Sequence, residues 1–300
     1  MAGEPGETTS QLLLEGVERL RTAGSETARL DAELLLGDAI GVGRTVILAH
    51  PEAPVGVDAA ARYRAGIDRR AAGEPVAYIR GIKEFFGLAF AVDARALIPR
   101  PETERLVELA EVDVRRRLGT RRADDPPIRI VDVGTGSGAI AVALAVSLRR
   151  LGAQNVAAIM AVDESTEALD LARENAVSHA VGDMVGFAHS DLLGGVAGPF
   201  DLVLANLPYV RTDALPGLPI AASFEPVKAL DGGSDGLAVI ERLLVQLPAV
   251  VGPDGRAFLE IGADQGALIV ERCERLLPGW ACVVEVDLAG LPRVAAISRS

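Results

Sequence analysis

The second part of the chain alternates short apolar runs with amphipathic stretches, and this pattern constrains the fold more than any other feature. Apolar runs predict seven strands, at 128–133, 156–162, 185–189, 200–205, 256–261, 280–287 and 293–298. Apolar residues at helical spacing predict helices at 138–151, 166–179, 236–250 and 264–277. This alternation predicts a doubly wound, mostly parallel sheet.

The last two predicted strands are joined by a very short connection, Leu288-Ala289-Gly290-Leu291-Pro292. A parallel crossover needs a dozen or more residues, whereas an antiparallel pair needs only a tight turn. We therefore expect an antiparallel pair to complete the sheet.

The first hundred residues have a different organisation. Apolar residues at helical spacing over 10–72 predict several short helices. Phe85, Phe86, Leu88 and Phe90, with glycine between them, predict a β-hairpin. We predict a helical substrate-recognition bundle at 1–74, a β-hairpin linker at 75–100 and the alternating domain at 101–300.

Composition and charge exclude several classes of function. The net charge is −12, and residues 101–300 hold 18 basic and 28 acidic side chains, which argues against nucleic acid as a direct substrate. No run of about 18 apolar residues predicts a membrane span. The two cysteines fit a reducing cytoplasm and form no metal-ligand cluster, so we expect no metal site.

A glycine-rich segment, Asp132-Val133-Gly134-Thr135-Gly136-Ser137-Gly138, follows the first strand of the predicted sheet. A dinucleotide-binding loop has the spacing Gly-x-Gly-x-x-Gly, which seats a pyrophosphate. The spacing here, Gly-x-Gly-x-Gly, suits a nucleoside with an amino-acid tail and no phosphates, namely S-adenosylmethionine. The predicted cofactor contacts are Gly134, Thr135, Gly136, Ser137 and Gly138. The alternative is a tight turn that binds no ligand.

Two aspartates follow the next two predicted strands. Asp163 can accept hydrogen bonds from both ribose hydroxyls of a nucleoside, or it can cap the helix that begins near Ser165. Asp191 can accept a hydrogen bond from the adenine amine, or it can be an ordinary loop residue. We predict that both aspartates contact the cofactor.

A polar segment, Asn206-Leu207-Pro208-Tyr209, follows the buried strand predicted at 200–205. Asn206 and the main-chain carbonyl before Pro208 offer two acceptors for a planar NH₂ group, and Tyr209 offers a flat face. Two such acceptors can orient the nitrogen lone pair and stabilise positive charge that develops on it. We predict that this segment holds an amide or aromatic amine while its nitrogen is alkylated. The alternative is a turn with an asparagine cap and a packed tyrosine.

Several motifs occur together in one order and resemble those of the HemK/PrmC release-factor glutamine methyltransferases. They are Glu74-Pro75-Val76-Ala77-Tyr78-Ile79, Glu84-Phe85-Phe86-Gly87, Leu97 to Glu104, Asp132 to Gly138, Asn206 to Tyr209, Glu225-Pro226 with Ala229 to Gly236, and Leu259-Glu260-Ile261-Gly262 with Gln265. The resemblance implies an α/β fold: a seven-stranded Rossmann-like S-adenosylmethionine-dependent methyltransferase domain, preceded by a small helical bundle and a β-hairpin linker.

The resemblance also implies a reaction and a partner. Members of that family methylate the side-chain amide of the glutamine in the Gly-Gly-Gln loop of peptide chain release factors, which the helical bundle contacts. By motif, Asn206, Pro208 and Tyr209 are the catalytic residues, and Asn206, Leu207, Pro208 and Tyr209 bind the glutamine. Asn206 is also assigned to the cofactor contacts, together with the glycine loop, Asp163 and Asp191.

One residue departs from the family pattern, because Leu207 stands where a proline is usual. The main-chain carbonyl of residue 207 survives this change. The Asn-Leu-Pro-Tyr form also resembles the motif of ribosomal RNA adenine dimethylases. Two alternatives therefore stand beside the release-factor reaction: a glutamine methyltransferase of a ribosomal protein, and an adenine amino-methyltransferase acting on nucleic acid.

Overall fold

The computed structural model describes residues 7–122 and 124–300, so the first six residues of the predicted bundle lie outside it. The chain forms two compact units. One contains the described residues up to Ile82 together with Pro219–Phe224, and the other contains Lys83–Leu218 and Glu225–Ser300.

The described part of the first unit contains five α-helices. They are α1 (Thr9–Thr22), α2 (Ala28–Ile40), α3 (Arg44–Ala49), α4 (Val57–Ala71) and α5 (Val76–Arg80). The Thr8 side chain accepts a hydrogen bond from the main chain of Gln11, whose side chain bonds back to Thr8, so α1 begins with a capping box. Leu12, Leu36 and Tyr63 are among the fully buried side chains of its core.

The predicted hairpin is formed by β1 (Ile82–Phe85) and β2 (Leu88–Ala91). Both turn residues, Phe86 and Gly87, have positive φ angles, of 52° and 69°, as a two-residue turn between twisted strands requires. The main-chain N–H of Phe86 donates to the Glu104 carboxylate at 2.8 Å. This bond ties the hairpin turn to the first residue of the helix that follows it.

The second unit contains a seven-stranded sheet, as predicted. Its strands are β3 (Ile128–Val133), β4 (Ala157–Asp163), β5 (Val185–His189), β6 (Phe200–Ala205), β7 (Val251–Glu260), β8 (Trp280–Val286) and β9 (Pro292–Arg299). Their order across the sheet is β5-β4-β3-β6-β7-β9-β8. β9 pairs antiparallel with both β7 and β8, and the other pairs are parallel. The predicted antiparallel pair at the end of the chain is therefore confirmed.

The second unit contains the four predicted helices, each matched within two residues at each end, and one more helix ahead of the sheet. They are α6 (Glu104–Thr120), α7 (Ala139–Arg150), α8 (Thr166–Ser178), α9 (Ala238–Val250) and α10 (Gly266–Leu276). Among the helices of the described residues, none is long and apolar enough to cross a membrane.

The strand order reverses between β3 and β6. From β3 the chain proceeds outward to β4 and β5, and it then returns to the other side of β3 with β6 and β7. In open α/β sheets, ligands bind in the crevice at the carboxyl ends of strands where the order reverses. The loops after β3 and β6 are therefore the expected edges of a binding site.

The long connection after β6 is ordered by its own main chain. Val210 N donates to Leu230 O at 2.9 Å, and Gly232 N donates to Val210 O at 2.7 Å. Between these contacts lie short 3-10 turns at Thr212–Gly217, Ile220–Phe224 and Val227–Ala229. The end of the connection is therefore hydrogen-bonded to its beginning, and α9 follows shortly after.

Candidate active site

A cavity of about 800 Å³ opens at the carboxyl ends of β3, β4 and β6. Most of the predicted site residues line it: Gly134, Thr135, Gly136, Ser137, Asp163, Asp191, Asn206, Leu207 and Pro208. Gly138 and Tyr209 are not among the residues that line it. The structure thus brings the glycine loop, both aspartates and the start of the Asn206–Tyr209 segment to one cavity.

The glycine loop follows β3 in a conformation that side chains rarely adopt. Gly134 has a φ of 69° and Gly136 a φ of 54°, both in the left-handed region that glycine tolerates best. The main-chain N–H groups of Gly134 and Thr135 both donate to Val162 O, at 2.9 and 3.0 Å. The loop is consequently held against the end of β4.

Asp132 supports this loop from inside the protein. Its side chain is fully buried, and its Oδ2 atom accepts hydrogen bonds from Thr135 Oγ1 at 2.6 Å and from Ala141 N at 3.2 Å. Burial raises the pKa of Asp132 to about 7, although these two donors lower it, and the negative charge of Asp163 raises it further.

Asp163 joins the loop to the next helix. Its Oδ2 atom accepts a hydrogen bond from Gly136 N at 2.8 Å, and its Oδ1 atom accepts one from Ser165 N at 2.9 Å. Burial raises the pKa of Asp163, and the two N–H donors oppose this shift. The cap of α8 is the Ser165 hydroxyl, which accepts from Ala168 N at 3.1 Å. The alternative prediction was that the Asp163 side chain caps this helix. In the structure the Ser165 side chain caps it instead.

Asp191 lies in the cavity wall but has a different environment. Its side chain is largely exposed, and Arg242 on α9 donates to its Oδ2 atom at 2.5 Å. The ion pair spans the loop after β5 and the helix after the long connection. Asp191 is therefore a charged, paired residue at the solvent-facing side of the cavity.

Asn206 is the first residue after β6, and its amide is oriented by a neighbour. Asn206 Nδ2 lies 2.9 Å from Thr103 Oγ1, in the 3-10 turn that precedes α6. With Nδ2 donating to Thr103, the Oδ1 atom of Asn206 remains as an acceptor for another group. The next residue, Leu207, is buried and belongs to the core beneath the cavity.

Tyr209 is fixed at both its side chain and its main chain. Its hydroxyl donates to Glu260 Oε1 at 3.2 Å, and its carbonyl accepts from Gln265 Nε2 at 3.0 Å. Gln265 Oε1 in turn accepts from Gly262 N at 2.8 Å. Burial and the neighbouring Glu260 carboxylate raise the pKa of Tyr209, so the hydroxyl stays protonated and acts as a donor.

Four further residues near the site, Thr103, Glu225, Glu260 and Gln265, lie in motifs noted above but had no role predicted from the sequence. All four are polar and buried. Glu225 accepts hydrogen bonds from Ile98 N at 3.0 Å and from Arg100 at 2.5 Å, which fixes the segment before α6. The sequence offered one signal for such a residue: a polar side chain at the end of an apolar strand, as Glu260 follows Leu259. This signal does not identify the hydrogen-bond partner of Glu260, which is distant in sequence.

Comparison with protein families separates the chain into two matched regions. Residues 11–81 match the PrmC N-terminal domain, and residues 116–218 match the methyltransferase small domain. Among solved structures, the hMettl16 catalytic domain in complex with the MAT2A 3′UTR hairpin 6 superposes with a TM-score of 0.53. That likeness covers 80% of this chain and 81% of the other at 14% identity, so it shows the fold alone.

The fold, the cavity and the matched domain define a methyltransferase with a Rossmann-like sheet. Proteins called release factor glutamine methyltransferase are similar over almost the whole chain. The one from Moorella thermoacetica is 41% identical over 91% of this chain and 95% of its own, and that from Bradyrhizobium diazoefficiens is 38% identical over 94% and 91%. The one from Deinococcus radiodurans is 36% identical over 96% and 98%. The chain belongs to the HemK/PrmC family of release factor glutamine methyltransferases, which confirms the resemblance read from the motifs.

Proposed function

We propose that this enzyme transfers a methyl group from S-adenosylmethionine to the side-chain amide nitrogen of the glutamine in the Gly-Gly-Gln loop of peptide chain release factors. The observation that carries the proposal is the position of Asn206. Its amide lies in the wall of the cavity that the glycine loop also lines, with Oδ1 left as an acceptor.

The residues of the cavity fit S-adenosylmethionine. Gly134 and Gly136 turn the loop without side chains, which lets a ligand approach the main chain closely. Each carboxylate oxygen of Asp163 accepts one main-chain hydrogen bond, from Gly136 or Ser165. A carboxylate can accept about four hydrogen bonds in all. The remaining sites can accept the ribose hydroxyls, while Thr135, Ser137 and Asp191 supply further polar contacts. When bound, the cofactor supplies a methyl group on a sulfonium.

On the substrate side, we assign Asn206 and the main-chain carbonyl of Leu207 to the two N–H groups of the glutamine amide. An amide nitrogen is a poor nucleophile because its lone pair is delocalised into the carbonyl. Two acceptors on the N–H groups direct the lone pair away from themselves and stabilise the positive charge that develops on nitrogen. Pro208 and Tyr209 shape the turn that presents these acceptors. Holding the two reactants in one orientation can contribute roughly 7–11 kcal/mol.

The departure at Leu207 is compatible with this assignment. Leu207 belongs to the core and is only 4% exposed, so its side chain takes little of the cavity's space although the residue lies in the cavity wall. The acceptor that the proposal uses is the carbonyl, which leucine and proline share. The substitution therefore supports no change of substrate.

The proposed protein partner is the release factor, and we assign its recognition to the helical unit that residues 1–74 were predicted to form. Two observations favour this choice over a nucleic acid. The relatives that match over most of the chain are called release factor glutamine methyltransferases, and residues 101–300 hold 28 acidic against 18 basic side chains. Two free cysteines fit the reducing cytoplasm, where release factors act.

Transfer of labelled methyl groups tests the proposal. The purified enzyme and isotopically labelled S-adenosylmethionine are incubated separately with release factor, with release factor whose Gly-Gly-Gln glutamine is changed to alanine, with ribosomal protein, and with RNA or DNA. We expect label only in the unaltered release factor. Label in the alanine variant, in ribosomal protein or in nucleic acid would assign the enzyme to another acceptor.

A further inference from the structure

A buried glutamate lies behind the two polar residues of the Asn206–Tyr209 segment. Glu260, the last residue of β7, is fully buried, and the Tyr209 hydroxyl donates to its Oε1 atom at 3.2 Å. Burial raises the pKa of this carboxyl, and the nearby Thr103 and Tyr209 hydroxyls lower it. Among the described residues, the buried Oε2 atom of Glu260 has no hydrogen-bond partner.

The carboxylate determines the direction of the hydrogen bonds around it. An ionised carboxylate only accepts, and its Oε2 atom lacks a partner, so the proton of the nearby Thr103 hydroxyl is attracted towards Glu260 and the hydroxyl lone pairs remain for other donors. Thr103 Oγ1 then accepts from Asn206 Nδ2, at 2.9 Å. An asparagine amide has one oxygen end and one nitrogen end, so this contact fixes Oδ1 of Asn206 on the opposite side.

The same carboxylate also fixes the other end of the segment. Tyr209 is bound at its hydroxyl by Glu260 and at its carbonyl by Gln265. The space around that carbonyl is tight, because a Cβ atom added to Gly236 would lie 2.4 Å from both Tyr209 O and Gln265 Nε2. The turn between Asn206 and Tyr209 is therefore held from both sides by buried polar groups.

We infer that Thr103 and Glu260 are positioning residues for the methyl transfer: together they fix the amide orientation of Asn206, so that Oδ1 and not Nδ2 meets the substrate NH₂ group. This inference rests on the proposed function. Neither residue needs to contact the glutamine. Without the carboxylate, the Thr103 proton can turn towards Asn206, which would favour the reversed amide and place a donor against the substrate's donors.

Paired substitutions at Thr103 test the inference. Thr103→Val keeps the shape of the side chain but removes the hydroxyl, whereas Thr103→Ser keeps the hydroxyl. We expect Thr103→Val to lower kcat about 10- to 100-fold, because a small misplacement of a reacting group costs rates of this order. Thr103→Ser should keep kcat within about threefold of the wild-type value. The Kd for S-adenosylmethionine should change less than about twofold in both variants.

A double-mutant cycle separates positioning from a general structural effect. If Thr103 acts through Asn206, Thr103→Val should cost little further activity in an Asn206→Ala background. Equal losses in both backgrounds, or an unchanged kcat in Thr103→Val alone, would overturn the inference. The same cycle with Glu260→Gln should give the same pattern, and thermal unfolding of each variant shows whether it is folded.

The proposed function and this inference fail in different ways. If the wild-type enzyme labels no release factor, the proposed acceptor is wrong, and the cycle is then measured with the acceptor that does take the label. A crystal structure of Thr103→Val reports the Asn206 side chain whatever the substrate is. An Asn206 amide that keeps its wild-type orientation and position in that variant would contradict the inference.

Discussion

The Leu207 side chain packs directly against Gly134: a Cβ atom added to Gly134 would lie 2.9 Å from Leu207 Cδ2. The first glycine of the cofactor loop and the second residue of the proposed substrate turn therefore share one contact. Gly134 is needed twice at this position, once for its φ of 69° and once for the space that Leu207 occupies. Packing across the β3–β6 boundary thus fixes the distance between the two halves of the site.

Gly134→Ala should destabilise the protein by more than the conformational strain alone. Gly152, after α7, is the matched control, because its φ is 70° and nothing lies within 4 Å of an added Cβ. We expect Gly152→Ala to cost about 1–2 kcal/mol, the usual strain of a left-handed alanine, and Gly134→Ala to cost more. If urea titration shows that the two substitutions lower the free energy of unfolding equally, the Leu207 side chain moves aside without measurable cost.

Asn206→Ala should abolish most of the transfer while leaving the cofactor site intact. Removal of one preorganised group that stabilises developing charge typically costs about 10²–10³ in kcat. We expect this loss in single-turnover assays with release factor, and an unchanged Kd for S-adenosylmethionine by calorimetry. Turnover close to the wild-type rate would remove Asn206 from the mechanism.

Asp163→Ala should act mainly on cofactor binding. The change removes the proposed ribose acceptor and also frees the N–H groups of Gly136 and Ser165. We expect the Kd for S-adenosylmethionine to rise at least about tenfold, which corresponds to roughly 1.4 kcal/mol. Asp170→Ala, at an exposed site on α8, is the control and should leave the Kd unchanged. An unaltered Kd in Asp163→Ala would restrict this residue to a structural role.

The reaction should lose rate in acid as Glu260 takes up a proton. The pKa of Glu260 is raised to about 6 by burial and by nearby Glu102, against the lowering effects of Thr103, Tyr209 and Arg293. Protonation gives the carboxyl a donor and weakens its hold on the two hydroxyls, so kcat should fall as the pH decreases through about 6. In Glu260→Gln this limb of the pH profile should be absent. A limb that persists unchanged in the variant would belong to another group.

Asp132 should make the protein less stable as the pH rises. The pKa of Asp132 is about 7 in the folded protein and near 3.8 when unfolded, so the folded state binds the extra proton between these values. Stability that depends on the protonated form is therefore present below about pH 4 and lost as the pH rises through about 7. Relative to Asp132→Asn, the melting temperature of the wild type should decline from pH 5 to pH 8. A constant difference would show that Asp132 does not titrate in this range.

Much of the fold was readable from the sequence because each element of the sheet carries its own local signal. The buried run at 200–205 and the five-residue connection before β9 each define a strand or a pairing without reference to distant residues. The short helix α5 was missed, since five residues give too little periodicity to distinguish a helical turn from a linker.

The site was predictable only in part, for a related reason. Loop glycines and polar residues at strand ends identify themselves by position, which is how Gly134, Asp163 and Asn206 were found. The contacts that orient them join residues far apart in the chain: Thr103 meets Asn206 across 103 positions, and Tyr209 meets Glu260 across 51. Such pairs depend on the packing of the sheet and have no local pattern.

A crystal structure of the enzyme with release factor and S-adenosylhomocysteine tests the central claim most directly. S-adenosylhomocysteine is what remains of the donor after its methyl group has been transferred. The claim is that Asn206 Oδ1 and the Leu207 carbonyl hold the NH₂ group of the glutamine side chain. We expect both acceptors within about 2.7–3.2 Å of that nitrogen, with the sulfur of the cofactor product facing it. A glutamine amide bound away from residues 206–209, or a sulfur directed to another part of the cavity, would contradict the account.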